Sequence, residues 1–249
     1  MDAVSRDGAV VVLRPPDPLP PSKALWAAEV PRAAWMVATW WRHRALLEDV
    51  PRGDGRTVML LPGLGNSARS LFVIRRYLRR LGYRVEDWGF GRNFGTRTVG
   101  AEAEAVVARV AALAAEGGPV TLVGVSLGGI LARLVAHRRP DLVRGVVTVA
   151  SPYAGSPRAT NVWRAFQLLS GERIHDPAVL STMALVASPL PVPATAIWSA
   201  SDGLVAGAIC HGGDCPAVEV RSGHLGVQVR PEVLAAVARV LGGMAFAEM

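Results

Sequence analysis

Lysine and cysteine are scarce in this sequence, and their scarcity excludes several kinds of site. Lys23 is the single lysine among 27 basic residues, and no glycine-rich loop of the phosphate-binding type is present, which argues against a nucleotide site. Cys210 and Cys215 stand five positions apart and form neither a C-x-x-C pair nor a four-ligand metal set. The spacing excludes a cysteine-based metal site and leaves open whether the two thiols are reduced or joined.

Targeting and membrane-spanning segments are also missing. Residues 1–20 contain no basic stretch that leads into an apolar run, and prolines interrupt them, so they do not read as a secretory signal. No stretch reaches the roughly 18 uninterrupted apolar residues that a membrane span requires. These absences predict a soluble, cytoplasmic protein.

Acidic residues are fewer than basic ones, and the formal net charge is +7. The densest basic cluster comprises Arg75, Arg76, Arg79, Arg80 and Arg84. Most of it lies on the polar side of a predicted amphipathic helix, where charged residues usually face solvent. The predicted apolar face of this helix is Leu71, Ile74, Leu78 and Leu81. No helix-turn-helix, zinc-knuckle or aromatic RNA-binding signature accompanies it, so we expect no nucleic-acid partner. Attraction to anionic membrane surfaces stays open.

From about residue 57 the chain alternates short apolar segments with segments of helical periodicity. The predicted strands are Thr57–Leu61, Tyr83–Asp87, Pro119–Val125, Val143–Ala150, Val192–Ser199 and Ala217–Arg221. The predicted helices are Ala68–Leu81, Val99–Ala115, Leu127–His137 and Pro231–Leu241. Apolar strands separated by helices are typical of a parallel sheet buried on both faces. We therefore predict an α/β fold with a mainly parallel sheet of about six strands flanked by helices, and a small helical excursion, or cap, at residues 151–191.

The first 56 residues have a different character. Val10–Leu13 resembles a lone strand, and Ser22 is placed to cap a helix that runs to about Glu48 and is broken or kinked at Pro31. Four residues fall near one face of this helix: Trp26, Val30, Val37 and Trp41. Either the helices dock on the body, or they form a lipid-facing or substrate-covering element, since tryptophan suits an apolar–aqueous boundary. We predict a single domain over 1–249, with 1–56 as a helical extension and 57–249 as the catalytic core.

The sequence GVSLGG at residues 124–129 carries the strongest chemical signal. It follows a predicted strand and precedes a predicted helix, which is the setting of a nucleophile elbow. A serine at such a sharp turn adopts a strained conformation that holds its hydroxyl clear of the sheet, and Gly124 and Gly128 provide room. Ser126 is therefore the candidate nucleophile.

A serine hydroxyl needs a base, and the base needs a group that orients its ring. Of five histidines, His224 follows the last predicted strand, whereas the others lie in the N-terminal helix, at a helix end, in the excursion or in the cysteine loop: His43, His137, His175 and His211. Asp202 follows the preceding strand in SASDG and is the candidate acid, with Asp214 and Glu219 as competitors. The chain order of nucleophile, acid and base suits acyl-transfer chemistry on this type of sheet.

Acyl transfer also needs hydrogen-bond donors for the tetrahedral oxyanion. The backbone amide of Leu127, directly after the nucleophile, is one candidate. The amide of Leu64 is the other, because it lies in the glycine-containing loop PGLGNS after the first core strand.

These stretches together resemble the α/β-hydrolase superfamily, and in particular small bacterial lipase- and esterase-like members. The matching stretches are LLPGLGNS, LGYRVEDWGFGRNFG, VTLVGVSLGGILAR, VVTVASPYAGSP, IWSASDGLV and VEVRSGHLG. The resemblance implies a Ser126, Asp202 and His224 triad, an oxyanion pair at Leu64 and Leu127, an ester or other acyl substrate, and no cofactor. The chain departs from many members by having Pro62-Gly63 in place of His-Gly, and the two usual N-terminal strands are missing or replaced.

The loops 88–98 and 151–191 follow predicted strands and should overhang the site. We predict an apolar substrate wall formed by Trp88, Phe90, Tyr153 and Trp163, with Phe94, Phe166 and Leu168 as further candidates. The leading hypothesis is a serine esterase or lipase-like enzyme acting on a small-molecule or lipid ester, with peripheral membrane contact as an option. The alternatives are an acyltransferase or thioesterase with the same triad, or a non-catalytic lipid- or partner-binding domain. The sequence does not determine the oligomeric state.

Overall fold

A computed structural model describes residues 18–243, so the predicted strand at Val10–Leu13 lies outside the described residues. The described chain contains six strands: β1 (Thr57–Leu61), β2 (Arg84–Asp87), β3 (Val120–Val125), β4 (Val143–Val149), β5 (Ala194–Trp198) and β6 (Ala217–Glu219). They form one sheet in the order β2-β1-β3-β4-β5-β6, and every neighbouring pair is parallel. The predicted fold class is confirmed, and the predicted strands differ from the observed ones only at their ends.

Nine α-helices accompany this sheet in residues 18–243: α1 (Lys23–Ala27), α2 (Glu29–Thr39), α3 (Phe72–Leu81), α4 (Thr96–Val99), α5 (Glu104–Gly117), α6 (Leu127–Arg138), α7 (Trp163–Ser170), α8 (Pro177–Ala187) and α9 (Pro231–Gly243). Short 3-10 segments lie at Trp40–Leu47, Ala68–Leu71, Pro140–Leu142, Pro157–Ala159, Gly207–Ile209 and Val227–Val229. The two helices α7 and α8 form the predicted excursion between β4 and β5.

Alternating side chains of the central strands feed two separate cores. In β1, Val58 and Leu60 belong to a core that also contains residues of α3 and α9, whereas Met59 and Leu61 belong to a core with residues of α5 and α6. Because successive strand residues point to opposite faces, this division means that helices cover both faces of the sheet. The arrangement leaves the ends of the strands as the places where polar chemistry can be exposed.

The amphipathic helix α3 forms as the sequence predicts. Its predicted apolar face is buried and comprises Leu71, Ile74, Leu78 and Leu81. Several of the arginines have partners within the chain: Arg75 pairs with Asp87, Arg79 donates to the carbonyl of Val85, and Arg84, which lies in β2, pairs with Glu86 and Glu116. These contacts fit the interpretation of the cluster as a solvated, partnered surface.

The predicted helix over Val99–Ala115 is interrupted, which corrects the prediction. α4 ends at Val99 and α5 begins at Glu104, and Ala103 between them has a positive φ of 56°. A left-handed residue cannot continue a right-handed helix. The apolar spacing across 99–115 therefore belongs to two helices that share one core.

The N-terminal helices begin where the sequence predicts, and the interruption between them lies slightly earlier than the predicted position. Ser22 caps α1 by accepting a hydrogen bond from the amide of Leu25, as expected. The helix is interrupted at Ala28, three residues before Pro31. Proline has no N–H to donate to the carbonyl of residue i−4, which here is Ala27, the last residue of α1. Pro31 therefore accounts for the predicted break, which lies about one turn before the proline itself.

This segment docks on the body through one side and exposes the other. Met36 is buried, the indole of Trp40 donates to the carbonyl of Val229 at 2.8 Å, and His43 lies 2.9 Å from Glu232 of α9. The exposed side carries Trp26 (51% exposed), Val30 (67%), Val37 (69%) and Trp41 (66%). Within residues 18–243, none of the helices has both the length and the apolar character to cross a bilayer.

Candidate active site

Ser126 lies at the junction of β3 and α6 with a strained backbone. Its φ of 53° and ψ of −120° fall in a region that residues with a side chain rarely occupy. Such strain persists only where the surroundings impose it, and it is concentrated at functional sites. The turn places Ser126 at the carboxyl end of β3 and at the start of α6, where the helix dipole favours negative charge.

The glycines around Ser126 are required by close contacts. A Cβ atom at Gly124 would lie 2.3 Å from the carbonyl oxygen of Gly128, and one at Gly128 would lie 2.2 Å from the carbonyl oxygen of Leu61. Both neighbours are backbone atoms that cannot move aside alone. The tight passage from β3 to α6 beside β1 therefore accounts for the glycine spacing in the motif.

His224 and Asp202 meet Ser126 at this edge of the sheet. Nε2 of His224 lies 3.2 Å from Oγ of Ser126, and Nδ1 of His224 lies 2.7 Å from Oδ2 of Asp202. Asp202 follows β5 and His224 follows β6, so the carboxyl ends of three parallel strands supply the three side chains. The distances allow a proton to pass between the hydroxyl and the imidazole.

The carboxylate of Asp202 is fixed by its own loop. Asp202 is 3% exposed, and its Oδ1 accepts hydrogen bonds from the amides of Leu204 and Val205, each at 2.8 Å. The second oxygen therefore remains for His224. Because a carboxylate only accepts hydrogen bonds, Nδ1 of His224 carries the hydrogen and Nε2 is left as the acceptor that faces Ser126.

The environment of His224 acts on its pKa in two directions. Burial lowers the pKa, but the charge of Asp202, its hydrogen bond to the ring and the more distant charge of Glu29 raise it, and the net effect is a raised pKa. The site thus stabilises the imidazolium that forms when His224 takes a proton.

The loop after β1 lies against Ser126. A Cβ atom at Gly63 would lie 3.3 Å from Cβ of Ser126, and Leu64 lines the same cavity as Ser126 and Leu127. Buried Asn93 holds this loop: its Nδ2 donates to the carbonyl of Pro62 at 2.7 Å, and its carbonyl accepts from the amide of Gly65 at 2.7 Å. Leu64 and Leu127 therefore both border the cavity at Ser126.

An apolar cavity opens beside Ser126. It contains about 970 Å³ of space free of atoms, part of it open to solvent. Its wall includes apolar residues of α6 and of the excursion: Ile130, Leu131, Leu134, Trp163, Phe166 and Met183. Glu172 adds one carboxyl group, and burial raises the pKa of that group. The loops 88–98 and 151–191 contribute to this wall, as the sequence predicts.

Comparison with known proteins identifies the family of the chain. A family model described as the alpha/beta hydrolase family matches residues 58–202. This chain belongs to the alpha/beta hydrolase family. No curated protein matches it.

Solved structures of lipases share the fold of this hydrolase at low identity. Aspergillus fumigatus lipase B is 18% identical with a TM-score of 0.57, over 79% of this chain and 56% of that one, so this chain spans little more than half of that lipase. The Paleococcus ferrophilus monoacylglycerol lipase is 20% identical with a TM-score of 0.54, over 78% of this chain and 95% of that one. A lipase-esterase related protein from Clostridium acetobutylicum is 13% identical with a TM-score of 0.53, over 77% and 97%.

Three of the four aromatic residues predicted to contact substrate do not line the cavity of this hydrolase. Trp163 does, but Trp88 and Tyr153 are fully buried in the sheet core, and Phe90 packs against Trp88. Tyr153 donates to Asp214 at 3.2 Å, and burial raises the pKa of its phenol, which keeps the donor protonated. The predicted roles of Trp88, Phe90 and Tyr153 are therefore wrong, because these large apolar side chains complete the core beneath the site.

The competing histidines and acids are engaged elsewhere in the hydrolase. His43 pairs with Glu232, His137 contacts Ser188, His175 contacts Arg158, and His211 stacks on Trp198. Asp214 lies 2.7 Å from buried Arg133. Cys210 and Cys215 are both free thiols. None of these groups is in hydrogen-bond contact with Ser126.

Sequence reasoning missed the serines that join the acid and base loops. Ser199 is buried, its Oγ donates to the carbonyl of Ser222 at 2.8 Å, and it accepts from the amide of Ser222 at 3.1 Å. The hydroxyl of Ser201 also donates to the carbonyl of Ser222, at 3.2 Å. No local pattern marks such pairs, since the partners lie more than twenty positions apart.

Proposed function

We propose that this protein is a serine hydrolase that cleaves carboxylic esters through an acyl-enzyme on Ser126. The observation that carries the proposal is the continuous contact from Asp202 through His224 to Ser126 at the mouth of an apolar cavity. The strained conformation of Ser126 supports the same role, because it presents the hydroxyl to the cavity.

In the first half of the reaction, Oγ of Ser126 attacks the ester carbonyl while Nε2 of His224 takes the hydroxyl proton. Asp202 keeps the ring in the tautomer that can accept this proton and stabilises the resulting imidazolium. The carbonyl oxygen becomes an oxyanion, and the amides of Leu64 and Leu127 are the donors we assign to it. The carbon–oxygen bond to the alcohol then breaks, and His224 gives its proton to the departing alcohol.

In the second half, water attacks the acyl group on Ser126 and His224 takes a proton from that water. A second tetrahedral oxyanion forms at the same donors. Its collapse releases the carboxylic acid, and His224 returns the proton to Oγ of Ser126. The chain's own residues supply every proton transfer in this cycle.

The cavity favours an ester with an apolar acyl group. Ile130, Leu134 and Met183 offer hydrocarbon contacts, and burial of each methylene contributes about 0.8 kcal/mol. Trp163 and Phe166 of α7 close the wall from the side of the excursion. A lipid or other apolar ester is therefore the substrate class we assign.

A series of p-nitrophenyl esters of increasing acyl length tests this assignment. We expect kcat/KM to rise with acyl length until the cavity is filled, and Ser126→Ala to remove the activity with every ester. A fluorophosphonate probe should label the folded wild-type protein at Ser126 but not the variant. Absence of labelling at Ser126 in folded protein would point to a non-catalytic binding domain, and transfer of the acyl group to an added alcohol or thiol in preference to water would point to an acyltransferase.

We also propose that the exposed face of α1, α2 and the 3-10 segment that follows them contacts an anionic membrane. This face combines Trp26, Val30, Val37 and Trp41, all more than half exposed. Lys23 lies over the ring of Trp26, and Arg42 and Arg44 are exposed in the 3-10 segment. Of the acidic residues, Glu29 is buried, and Glu48 and Asp49 follow the segment. Tryptophan at an interface, together with basic residues, is typical of helices that lie on anionic lipid surfaces.

Co-sedimentation with vesicles tests the membrane contact. The wild-type protein should bind vesicles that contain phosphatidylglycerol more strongly than vesicles of phosphatidylcholine alone. The double variant Trp26→Ser, Trp41→Ser should lose most of this binding, whereas Phe72→Ser, which removes an exposed aromatic residue from α3, should retain it. Equal binding by all three proteins would refute the proposed face.

A further inference from the structure

Glu29 is a buried acid in a segment that the reaction scheme does not use. It is the first residue of α2 and is 2% exposed, and among residues 18–243 the basic side chain nearest to its carboxylate is that of Arg32, at 3.9 Å. A buried carboxylate needs hydrogen-bond donors to offset the loss of water. The donors of Glu29 are two backbone amides from different loops.

Each oxygen of Glu29 holds one of the loops that carry the acid and the base. Oε1 accepts from the amide of Gly203 at 2.7 Å, and Oε2 accepts from the amide of Leu225 at 2.8 Å. Gly203 directly follows Asp202, and Leu225 directly follows His224. A single rigid carboxylate group thus joins the two loops.

We propose that Glu29 is a positioning residue for the catalytic triad, joining the Asp202 loop to the His224 loop across the start of α2. The proposal rests on the proposed function, because it concerns the same triad. It makes the N-terminal helices part of the active-site scaffold and not merely a docked extension.

The glycines next to the acid and the base fit this arrangement. A Cβ atom at Gly203 would lie 2.9 Å from Cγ of Glu29 and 2.5 Å from the carbonyl oxygen of Leu25. A Cβ atom at Gly223 would lie 2.7 Å from Oε2 of Glu29. Absence of a side chain at both positions is what lets the carboxylate reach the two amides.

Arg32, one turn further along α2, contacts the same region. Its Nη1 donates to the carbonyl of Ser201 at 2.6 Å, and its Nη2 donates to the hydroxyl of Ser201 at 3.1 Å. Ser201 in turn donates to the carbonyl of Ser222, two residues before His224. Two successive turns of α2 therefore meet the acid and base loops.

Charge gives Glu29 a second effect that a purely structural role would lack. The negative groups that act on His224 are Asp202 in direct contact and Glu29 on α2, and the positive groups Arg32 and Arg230 lie near Glu29. Removal of the charge at position 29 lowers the pKa of His224. Since activity requires neutral His224, the acid limb of the pH profile would then move to lower pH.

Two variants separate geometry from charge. Glu29→Gln keeps the shape, loses the charge and turns an NH₂ group toward a donor, so we expect kcat on p-nitrophenyl butyrate to fall about 10- to 100-fold, as small misplacements of catalytic groups do, with KM nearly unchanged and the acid limb shifted to lower pH. Glu29→Asp keeps the charge but shortens the side chain, so kcat should fall while the acid limb stays in place. The rate of fluorophosphonate labelling should follow kcat.

The matched control is Glu232→Gln. This change breaks a polar anchor of the N-terminal segment that lies away from both loops, the contact of Glu232 with His43. If Glu29 only docks the segment, the two Gln variants will lower kcat equally, and the proposal fails. It also fails if folded Glu29→Gln retains the wild-type kcat and pH profile; should that variant not fold, Glu29→Asp decides by the same kcat measurement. An inactive wild-type protein, or an active Ser126→Ala, would instead refute the proposed function.

Discussion

Ser126 and His224 lie 3.2 Å apart, yet the parts of the chain that hold them differ in kind. Ser126 is held in a turn whose own residues are close to it in sequence: β3 before, α6 after, and glycines that let the turn pass β1. His224 and Asp202 lie on loops whose positions depend on residues far away in sequence, among them Ser199, Ser222 and Glu29. The conformation of the candidate nucleophile therefore depends mainly on local backbone, and the placement of the candidate acid and base depends on tertiary contacts.

We expect first that catalysis requires both parts of the site, Ser126 in its turn and the loops that carry Asp202 and His224. His224→Ala leaves Ser126 without a proton acceptor, so we expect kcat on p-nitrophenyl butyrate to fall by about 10⁴-fold or more. Ser126→Ala should fall equally far, and the double variant no further. Steady-state kinetics on the three folded proteins measure this. Near wild-type turnover by His224→Ala would overturn the assignment of the base.

The turn around Ser126 should not tolerate one added methyl group. Gly128→Ala places a Cβ atom 2.2 Å from the carbonyl oxygen of Leu61, and overpacking of this kind costs about 1–3 kcal/mol of stability or more. We expect a clear drop in the free energy of unfolding, measured by chemical denaturation, together with loss of activity. Gly243→Ala, in a helix with open space around the added atom, is the control and should be as stable as the wild type.

Loss of a contact between the Asp202 and His224 loops should lower stability and activity by a smaller amount. Ser199→Ala removes the hydroxyl that links the two loops and leaves buried groups of Ser222 and Ser201 with fewer partners, a change that costs about 1–3 kcal/mol. We expect a moderate fall in kcat with little change in KM. A variant that loses stability but keeps the full kcat would show that the loops hold their geometry without this link.

The smallest expected effect is a shift in the pH dependence of activity, which depends on His224 and Asp202. Because the pKa of His224 is raised in the folded protein, the acid limb of kcat/KM should have its midpoint above the ordinary histidine value of 6.5. The raised pKa of His224 also contributes to the stability of the folded protein. This contribution is present below the unfolded pKa of the group and is lost as the pH rises through its folded pKa. Asp202→Asn should move the midpoint of fluorophosphonate labelling to lower pH, and an unmoved midpoint would contradict the cause we assign.

Particular residues show where sequence reasoning succeeds and where it fails. The strands and most helices of residues 57–243 follow from apolar runs and periodicity, and these patterns also predict each residue of the buried face of α3. The position of Trp88 and Tyr153 on loops near the site predicts a place in the substrate wall, but both side chains belong to the core. Sequence patterns show that a side chain is apolar, but they do not show whether it lines the cavity or packs in the core.

The sequence by itself determined the parallel sheet, the position of the strained serine and the chain order of Ser126, Asp202 and His224. These features depend on strand hydrophobicity and on steric rules that act over a few bonds. The tertiary structure alone decided which residues line the cavity, where the helix between β2 and β3 breaks, and that Glu29 meets the amides of Gly203 and Leu225. Those contacts join positions more than 170 residues apart, a separation over which no local periodicity carries information.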